Sequence, residues 1–300
     1  MVGTVHPHQH PQESPVRLGI TSPVVVQLPG VASPWEATAT PADLVTVAQA
    51  ADRLGFDHLT CSEHVAVPSE IAATRGGTYW DPAATLSFLA ACTENIRLAT
   101  QVLVLGYHHP LEVVKRFGTL DRLSGGRVVL GLGVGTLEAE FDLLDAQFAG
   151  RGARADEALA AIAAAWGVEV PEFAGEHYSF SDLVVSPTAP RTQVPLWIGG
   201  NSPRSLRRAV ELGTGWVPFG LGADQLAELL ERHDLPEDFE VVLGPGRPVD
   251  PSGDAERTAR AIARLGEAGA SIVSLSVRAE SVTHYVEQLE ALAAIGRDLA

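Results

Sequence analysis

The sequence predicts an α/β protein folded as a single (β/α)8 TIM barrel with extended loops at its C-terminal face. Three observations point there. Eight short apolar runs alternate with eight helical patterns, the strand–helix repeat that closes into a barrel. Most of the runs are continuously apolar rather than alternating, as in parallel strands buried on both faces. No G-x-G-x-x-G follows the first run, where an open doubly wound sheet would carry its fingerprint. The glycines of Gly131-Leu132-Gly133-Val134-Gly135 come after the fourth run begins, with neither that spacing nor the lysine of a phosphate loop.

The strands are predicted at 17–21, 58–62, 96–104, 127–131, 195–198, 215–218, 239–243 and 270–277. The first helix, 40–54, opens on Thr40-Pro41, a cap followed by proline at the first helical position, and stops at Gly55. Asp81-Pro82 starts the second, 82–91, in the same way. The third, 110–123, ends at Ser124-Gly125-Gly126, and the alanine-rich fourth, 154–166, ends at Gly167. Ser202-Pro203 opens 202–212, which stops at Gly213, and 221–233, 255–268 and 281–295 complete the set. Three connections, 22–39, 63–80 and 167–193, are longer than packing requires. The first two are expected to wall a site, because barrels build pockets from the loops that follow strands. The third holds residues 171–180, a hairpin pattern expected across the mouth or side of the barrel. Residues 1–15 read as a flexible tail and 16–300 as one barrel domain.

Composition excludes several classes. At 46% hydrophobic and 19% charged, the 300-residue chain is a folding sequence, not a disordered one. With 21 Lys and Arg against 37 Asp and Glu, the net charge of -16 repels a phosphate backbone, so no nucleic-acid partner is expected. Cys61 and Cys92 have no metal-ligand spacing and read as reduced thiols of a cytoplasmic protein. No apolar core of a leader opens the chain and no apolar run is long enough to cross a membrane. His6, His8 and His10 lie among Pro and Gln and read as tail rather than metal site.

Chemistry concentrates at strand ends. Leu59-Thr60-Cys61-Ser62-Glu63-His64 places an acid and an imidazole where a strand meets the catalytic face. His64 can exchange a proton near neutral pH, and Glu63 can orient it or face a ligand; either residue also serves as a loop brace. Gln101, Val102 and Leu103 lie where the third strand reaches the mouth, with apolar atoms to support a flat ring. The neighbouring His108-His109 pair lacks a third metal ligand, and His109 before Pro110 reads as a helix cap. Trp197-Ile198-Gly199-Gly200-Asn201-Ser202 runs from a strand through bare backbone into a helix start, the arrangement that receives a phosphate, or else a simple tight turn. Arg204, Arg207 and Arg208 add basic character there. Thr214-Gly215-Trp216 borders another ligand-compatible loop. Asp81, Asp121 and Asp156 read as structural carboxylates, and no serine–histidine–acid order, nucleophile elbow or H-E-x-x-H helix occurs.

These segments together resemble the bacterial luciferase-like monooxygenase superfamily, and within it the actinobacterial deazaflavin-dependent oxidoreductases. The resemblance is carried by Ala51-Asp52-Arg53-Leu54-Gly55-Phe56-Asp57-His58-Leu59, Ser62-Glu63-His64, residues 93–100, residues 120–135, Phe148-Ala149-Gly150-Arg151-Gly152-Ala153-Arg154-Ala155-Asp156-Glu157 and residues 197–202. It spans about residues 17–220 in order; the last 80 residues or so fit the barrel without a signature of their own.

The resemblance implies a hydride-transferring enzyme that uses coenzyme F420, with FMN-dependent monooxygenation as the alternative. It implies His64 near the reactive edge of the ring as proton donor or acceptor. Glu63 stands where many relatives carry aspartate. A non-proline cis peptide is implied at Gln101–Val102, behind the ring. Gly199, Gly200, Asn201 and Ser202 are placed near the cofactor phosphate, with Thr214 and Gly215 at the next phosphate-side turn. A homodimer, a small-molecule substrate and, in the FMN case, a partner reductase are further implications. A non-catalytic cofactor-binding protein and an unrelated phosphate-binding barrel remain as readings of the residues alone.

Overall fold

The computed structural model describes residues 16–299. The tail at 1–15, with His6, His8 and His10, lies outside the described residues. In chain order the strands are β1 (Arg17–Ile20), β2 (His58–Cys61), β3 (Arg97–Thr100), β4 (Leu103–Val104), β5 (Val128–Gly133), β6 (Phe173–Ala174), β7 (Ser179–Phe180), β8 (Leu196–Gly199), β9 (Gly215–Val217), β10 (Glu240–Leu243) and β11 (Ile272–Leu275). The helices are α1 (Pro41–Arg53), α2 (Ser69–Arg75), α3 (Pro82–Ala90), α4 (Pro110–Leu123), α5 (Glu138–Leu143), α6 (Arg151–Ala165), α7 (Pro203–Leu212), α8 (Ala223–Leu230), α9 (Ala255–Glu267) and α10 (Val282–Leu299).

The sheet runs β3-β2-β1-β11-β10-β9-β8-β5-β4, and pairing of β3 with β5 closes it into an all-parallel ring. The predicted strand 96–104 is interrupted: β3 and β4 are two parts of one barrel stave, separated by Gln101 and Val102. The peptide bond between these two is cis, at the position the resemblance implied. Each of the eight predicted helices is present. The sequence reading missed α2 and α5, two short helices in the loops after β2 and β5.

Two layers of core hold the barrel. Its interior is filled by Ala99, Val129, Trp197, Val217, Val242 and Ile272; a larger apolar layer lies between strands and helices. The helix starts follow their sequence caps: Thr40, Asp81, His109 and Ser202 each accept a backbone N–H of the first turn. The hairpin β6–β7 packs on α6, where Glu157 accepts the backbone N–H groups of Glu176, His177 and Tyr178.

The N-terminal end of the barrel is locked by charge. Arg97 bonds Asp57 at 2.6 Å and Glu240 at 3.1 Å. Buried His58 donates from Nδ1 to Asp57 and accepts at Nε2 from the Ser274 hydroxyl, at 2.8 and 3.0 Å. Burial holds this imidazole below its ordinary pKa against the pull of Asp57, so it is neutral. Burial pushes the Asp57 carboxyl up, but the hydrogen bond from His58 and the charge and hydrogen bond of Arg97 outweigh it and hold the group well below the carboxylate range.

Candidate active site

At the C-terminal ends of the strands lies an open chamber of 650 Å³. Its walls include His64, Val102, Val104, Tyr107, Gly133 and Gly199. His64 enters from the loop after β2, and its side chain is 17% exposed. Its Nδ1 lies 2.6 Å from Oε2 of Glu140, a fully buried carboxylate on α5. The Tyr107 hydroxyl donates to the same oxygen at 2.8 Å. Oε1 of Glu140 accepts the backbone N–H groups of Val65 and Ala66. All four partners of Glu140 therefore point a hydrogen at it, which keeps a proton on His64 Nδ1 and leaves Nε2 without a protein partner among the described residues. Tyr79 packs edge-on against the ring, with centroids 4.5 Å apart. Burial and then the neighbouring Glu140 raise the Tyr107 phenol above its ordinary value, so it stays a donor.

Glu63 also lines the chamber, and it braces the loop rather than orienting the imidazole. It does not touch His64. Its Oε2 accepts Val104 N at 2.7 Å and its Oε1 lies 2.7 Å from His108 Nε2. Consecutive side chains of an extended segment point to opposite sides, so Glu63 turns toward β4 while His64 turns toward α5. Glu63 pins the stave behind the chamber. Burial opposes the charge on His108, but the Glu63 bond and charge outweigh it and hold the imidazole above its ordinary value.

The same alternation removes Leu103 from the site. Val102 and Val104 line the chamber, whereas Leu103 is buried in the layer between strands and helices. Val102 is backed by bare backbone: a Cβ at Gly133 would lie 2.6 Å from its Cγ2, and one at Gly199 3.0 Å from its Cγ1. Gly199, Gly200 and Asn201 line the chamber as expected. Ser202 does not; its hydroxyl caps α7 by accepting Ser205 N. Arg208 pairs with Asp156 and is structural.

Thr214 and Gly215 lie at the wrong end of the barrel. They open β9 rather than close it, and in a parallel barrel every strand start faces away from the mouth. Thr214 accepts Leu196 N at 2.9 Å, and Gly215 sits beside Trp197 and Glu240. The mouth end of this stave is Pro218-Phe219, and Phe219 does line the chamber.

Glu140 was the residue that sequence reading missed. It lies 76 positions from His64, between exposed Glu138 and Asp142, so only the fold reveals which acid turns inward. Cys61, also near the mouth, is buried and its thiol is pushed up to about 12, which leaves it unreactive. Among the described residues no group of three His, Cys, Asp or Glu side chains is arranged to hold a metal, and no helix is long and apolar enough to cross a membrane.

The family model described as luciferase-like monooxygenase matches residues 16–243. A protein of Beutenbergia cavernae named F420-dependent glucose-6-phosphate dehydrogenase is 34% identical over 195 residues, covering 63% of this chain and 56% of that one. A solved F420-dependent secondary alcohol dehydrogenase, in complex with an F420-acetone adduct, superposes with a TM-score of 0.74 at 16% identity, covering 94% of this chain and 99% of that one. A monooxygenase of Streptomyces bottropensis superposes with a TM-score of 0.70 at 20% identity, covering 93% and 98%. These two structural likenesses speak to the fold.

Proposed function

Because the chain belongs to the luciferase-like monooxygenase family, we propose that it is an oxidoreductase passing a hydride between coenzyme F420 and a small organic substrate, with His64 moving the accompanying proton. The observation that carries this reading is the free Nε2 of His64 at the chamber wall, with Nδ1 anchored on a buried carboxylate. A histidine held in one tautomer by an acid is a proton carrier with fixed direction. The relative named as an F420-dependent dehydrogenase supports deazaflavin over flavin.

The chamber fits a flat ring with a phosphate tail. Val102 and Val104 give an apolar surface, and the glycines at 133 and 199 leave backbone where side chains would collide with Val102. Gly200 holds φ at +129°, where a Cβ would meet Ser205 at 2.7 Å, so the backbone beside it stays bare for an anion. Arg75 bonds Thr136 across the chamber rim at 3.2 Å and adds a cation. When bound, the deazaflavin supplies the carbon that accepts or gives up hydride.

The chain supplies the rest. In the oxidising direction His64 Nε2 takes the proton of the substrate hydroxyl. Glu140 then faces an imidazolium and stabilises it at 2.6 Å, and in the reverse direction the same pair returns the proton. Tyr107 fixes Glu140, and Glu63 fixes the stave that carries Val102. The apolar walls reduce water around the transferring hydride.

The test uses anaerobic protein mixed with oxidised F420 and a panel of small secondary alcohols and hydroxy acids, with loss of the deazaflavin absorption followed. Reduction in the parent and its loss in His64→Ala are expected. Oxygen uptake with reduced FMN, and no F420 reduction or oxidation with any partner, would move the assignment to a monooxygenase.

A further inference from the structure

A second chamber of 280 Å³ adjoins the first. The two share Val26, Leu28, Val31, Ser62, Gln101 and Phe219 as a partition. Their chemistry differs. The large chamber has a mainly apolar wall of valines and glycines, with His64, Tyr107 and Arg75 among its polar groups. The small one carries the hydroxyls of Thr21, Ser22, Ser62, Ser274 and Ser276 at the ends of β1, β2 and β11.

Two buried polar groups there lack partners among the described residues, and an exposed cation stands at the rim. Tyr285 is 1% exposed and its hydroxyl has no hydrogen-bond partner, although it borders the chamber. Gln101 Oε1, in the partition, is likewise unpartnered. Arg247, on the turn after β10, borders the chamber and meets no carboxylate among the described residues. Most other buried polar groups among the described residues are satisfied, so two such groups around one cavity, with the exposed guanidinium of Arg247 at its rim, indicate a polar occupant.

The charge on offer is limited. Arg247 is the single basic side chain of this chamber. The one acid there, Glu36, is buried, and both its oxygens are occupied by the backbone N–H groups of Val24 and Ser33. A lone guanidinium matches one carboxylate in a two-pronged pair, whereas a phosphate dianion would leave charge uncompensated among serines and apolar walls.

We propose that the small chamber anchors the substrate, and that the substrate is a small hydroxy acid or its oxo form, with its carboxylate on Arg247 and its hydroxyls among the Ser, Thr and Tyr285 hydroxyls. The reacting carbon then reaches past Gln101 toward the large chamber. This inference rests on the reading of the large chamber as the coenzyme site. It departs from the sugar phosphate in the name of the Beutenbergia relative.

The test separates the two readings. Binding to the protein without coenzyme is measured by calorimetry for glycolate, lactate and glycerate, against glycerol, which lacks the carboxylate, and glycerol 3-phosphate, which carries a dianion. F420 affinity is measured in parallel. At least one hydroxy acid is expected to bind tenfold or more tightly than either control. Arg247→Gln should erase that preference while F420 affinity stays within twofold. Tyr285→Phe, which keeps the ring packing, should weaken the hydroxy acid by several fold. Preference for glycerol 3-phosphate, equal binding of glycerol, or no binding by any hydroxy acid overturns the inference, even where F420 binds. Failure of F420 alone counts against the coenzyme reading instead.

Discussion

Replacing Glu140 by glutamine tests the catalytic geometry at one atom. The carboxylate has two oxygens and four donors: His64 Nδ1, the Tyr107 hydroxyl, and the N–H groups of Val65 and Ala66. An amide keeps the volume but offers one oxygen, so whichever way it turns, donors face an NH₂. The carboxylate that stabilises a protonated His64 also becomes neutral. A charge-assisted hydrogen bond contributes about 1.5–3 kcal/mol, so kcat should fall roughly 10- to 150-fold. The assay is single-turnover reduction of prebound F420 by the most reactive hydroxy acid or alcohol, well below the melting temperature, because lost backbone bonds also reduce stability by about 1–3 kcal/mol. Glu140 acts through His64, so Glu140→Gln in a His64→Ala background should cost little more. Full kcat in the single variant, or additive losses in the double, would refute this role.

Other perturbations follow from the same structure. Arg97→Leu leaves Asp57 and Glu240 with Arg17 as their one remaining shared cation, and should lower stability by about 1–3 kcal/mol in denaturant melts while F420 affinity is kept. An unchanged midpoint would remove the lock from the N-terminal end. Acid should also unfold the protein early. Asp57 and Glu240 are held below their ordinary values, the latter because the charge of Arg97 and the bonds from Arg17, Arg97 and Trp197 outweigh burial, and His58 is held below 6.5. For all three the unfolded chain binds protons that the folded one refuses, so stability is full above the unfolded values and is lost as pH falls toward the depressed folded ones. Melting temperature should therefore decline from pH 6.5 downward, and a flat profile to pH 4 would contradict it. Gly133→Ala places a Cβ 2.6 Å from Val102 Cγ2. Displacing Val102 from the chamber wall should weaken F420 by about 1–3 kcal/mol, roughly 5- to 150-fold, in a fluorescence titration; unchanged affinity would show that Val102 does not support the ring.

The barrel was legible because its signals are local. Buried parallel strands are apolar throughout, and caps such as Thr40-Pro41 and Asp81-Pro82 mark helix starts within a few residues. His64 was legible for the same reason, at a strand end in a long loop. What the sequence hid depends on which way a side chain turns. Glu63 and His64 are neighbours in the chain yet brace opposite walls, and Leu103 leaves the site because Val102 and Val104 occupy its inner face. Thr214 and Gly215 fall outside the site because they open β9, whereas ligands meet a barrel at its strand ends. Glu140 could not have been singled out from Glu138 and Asp142 without the fold that brings α5 beneath His64. The small chamber was likewise invisible, since its hydroxyls come from the first two strands and the last, with Arg247 from the turn after β10.

The coenzyme itself is decided by a paired titration. Purified protein is titrated with oxidised F420 and, separately, with FMN, while ring fluorescence and protein melting temperature are followed. Saturable F420 binding, with FMN weaker by tenfold or more and Gly133→Ala reducing the F420 affinity, is the expected result. Tight FMN binding without any F420 binding would contradict it.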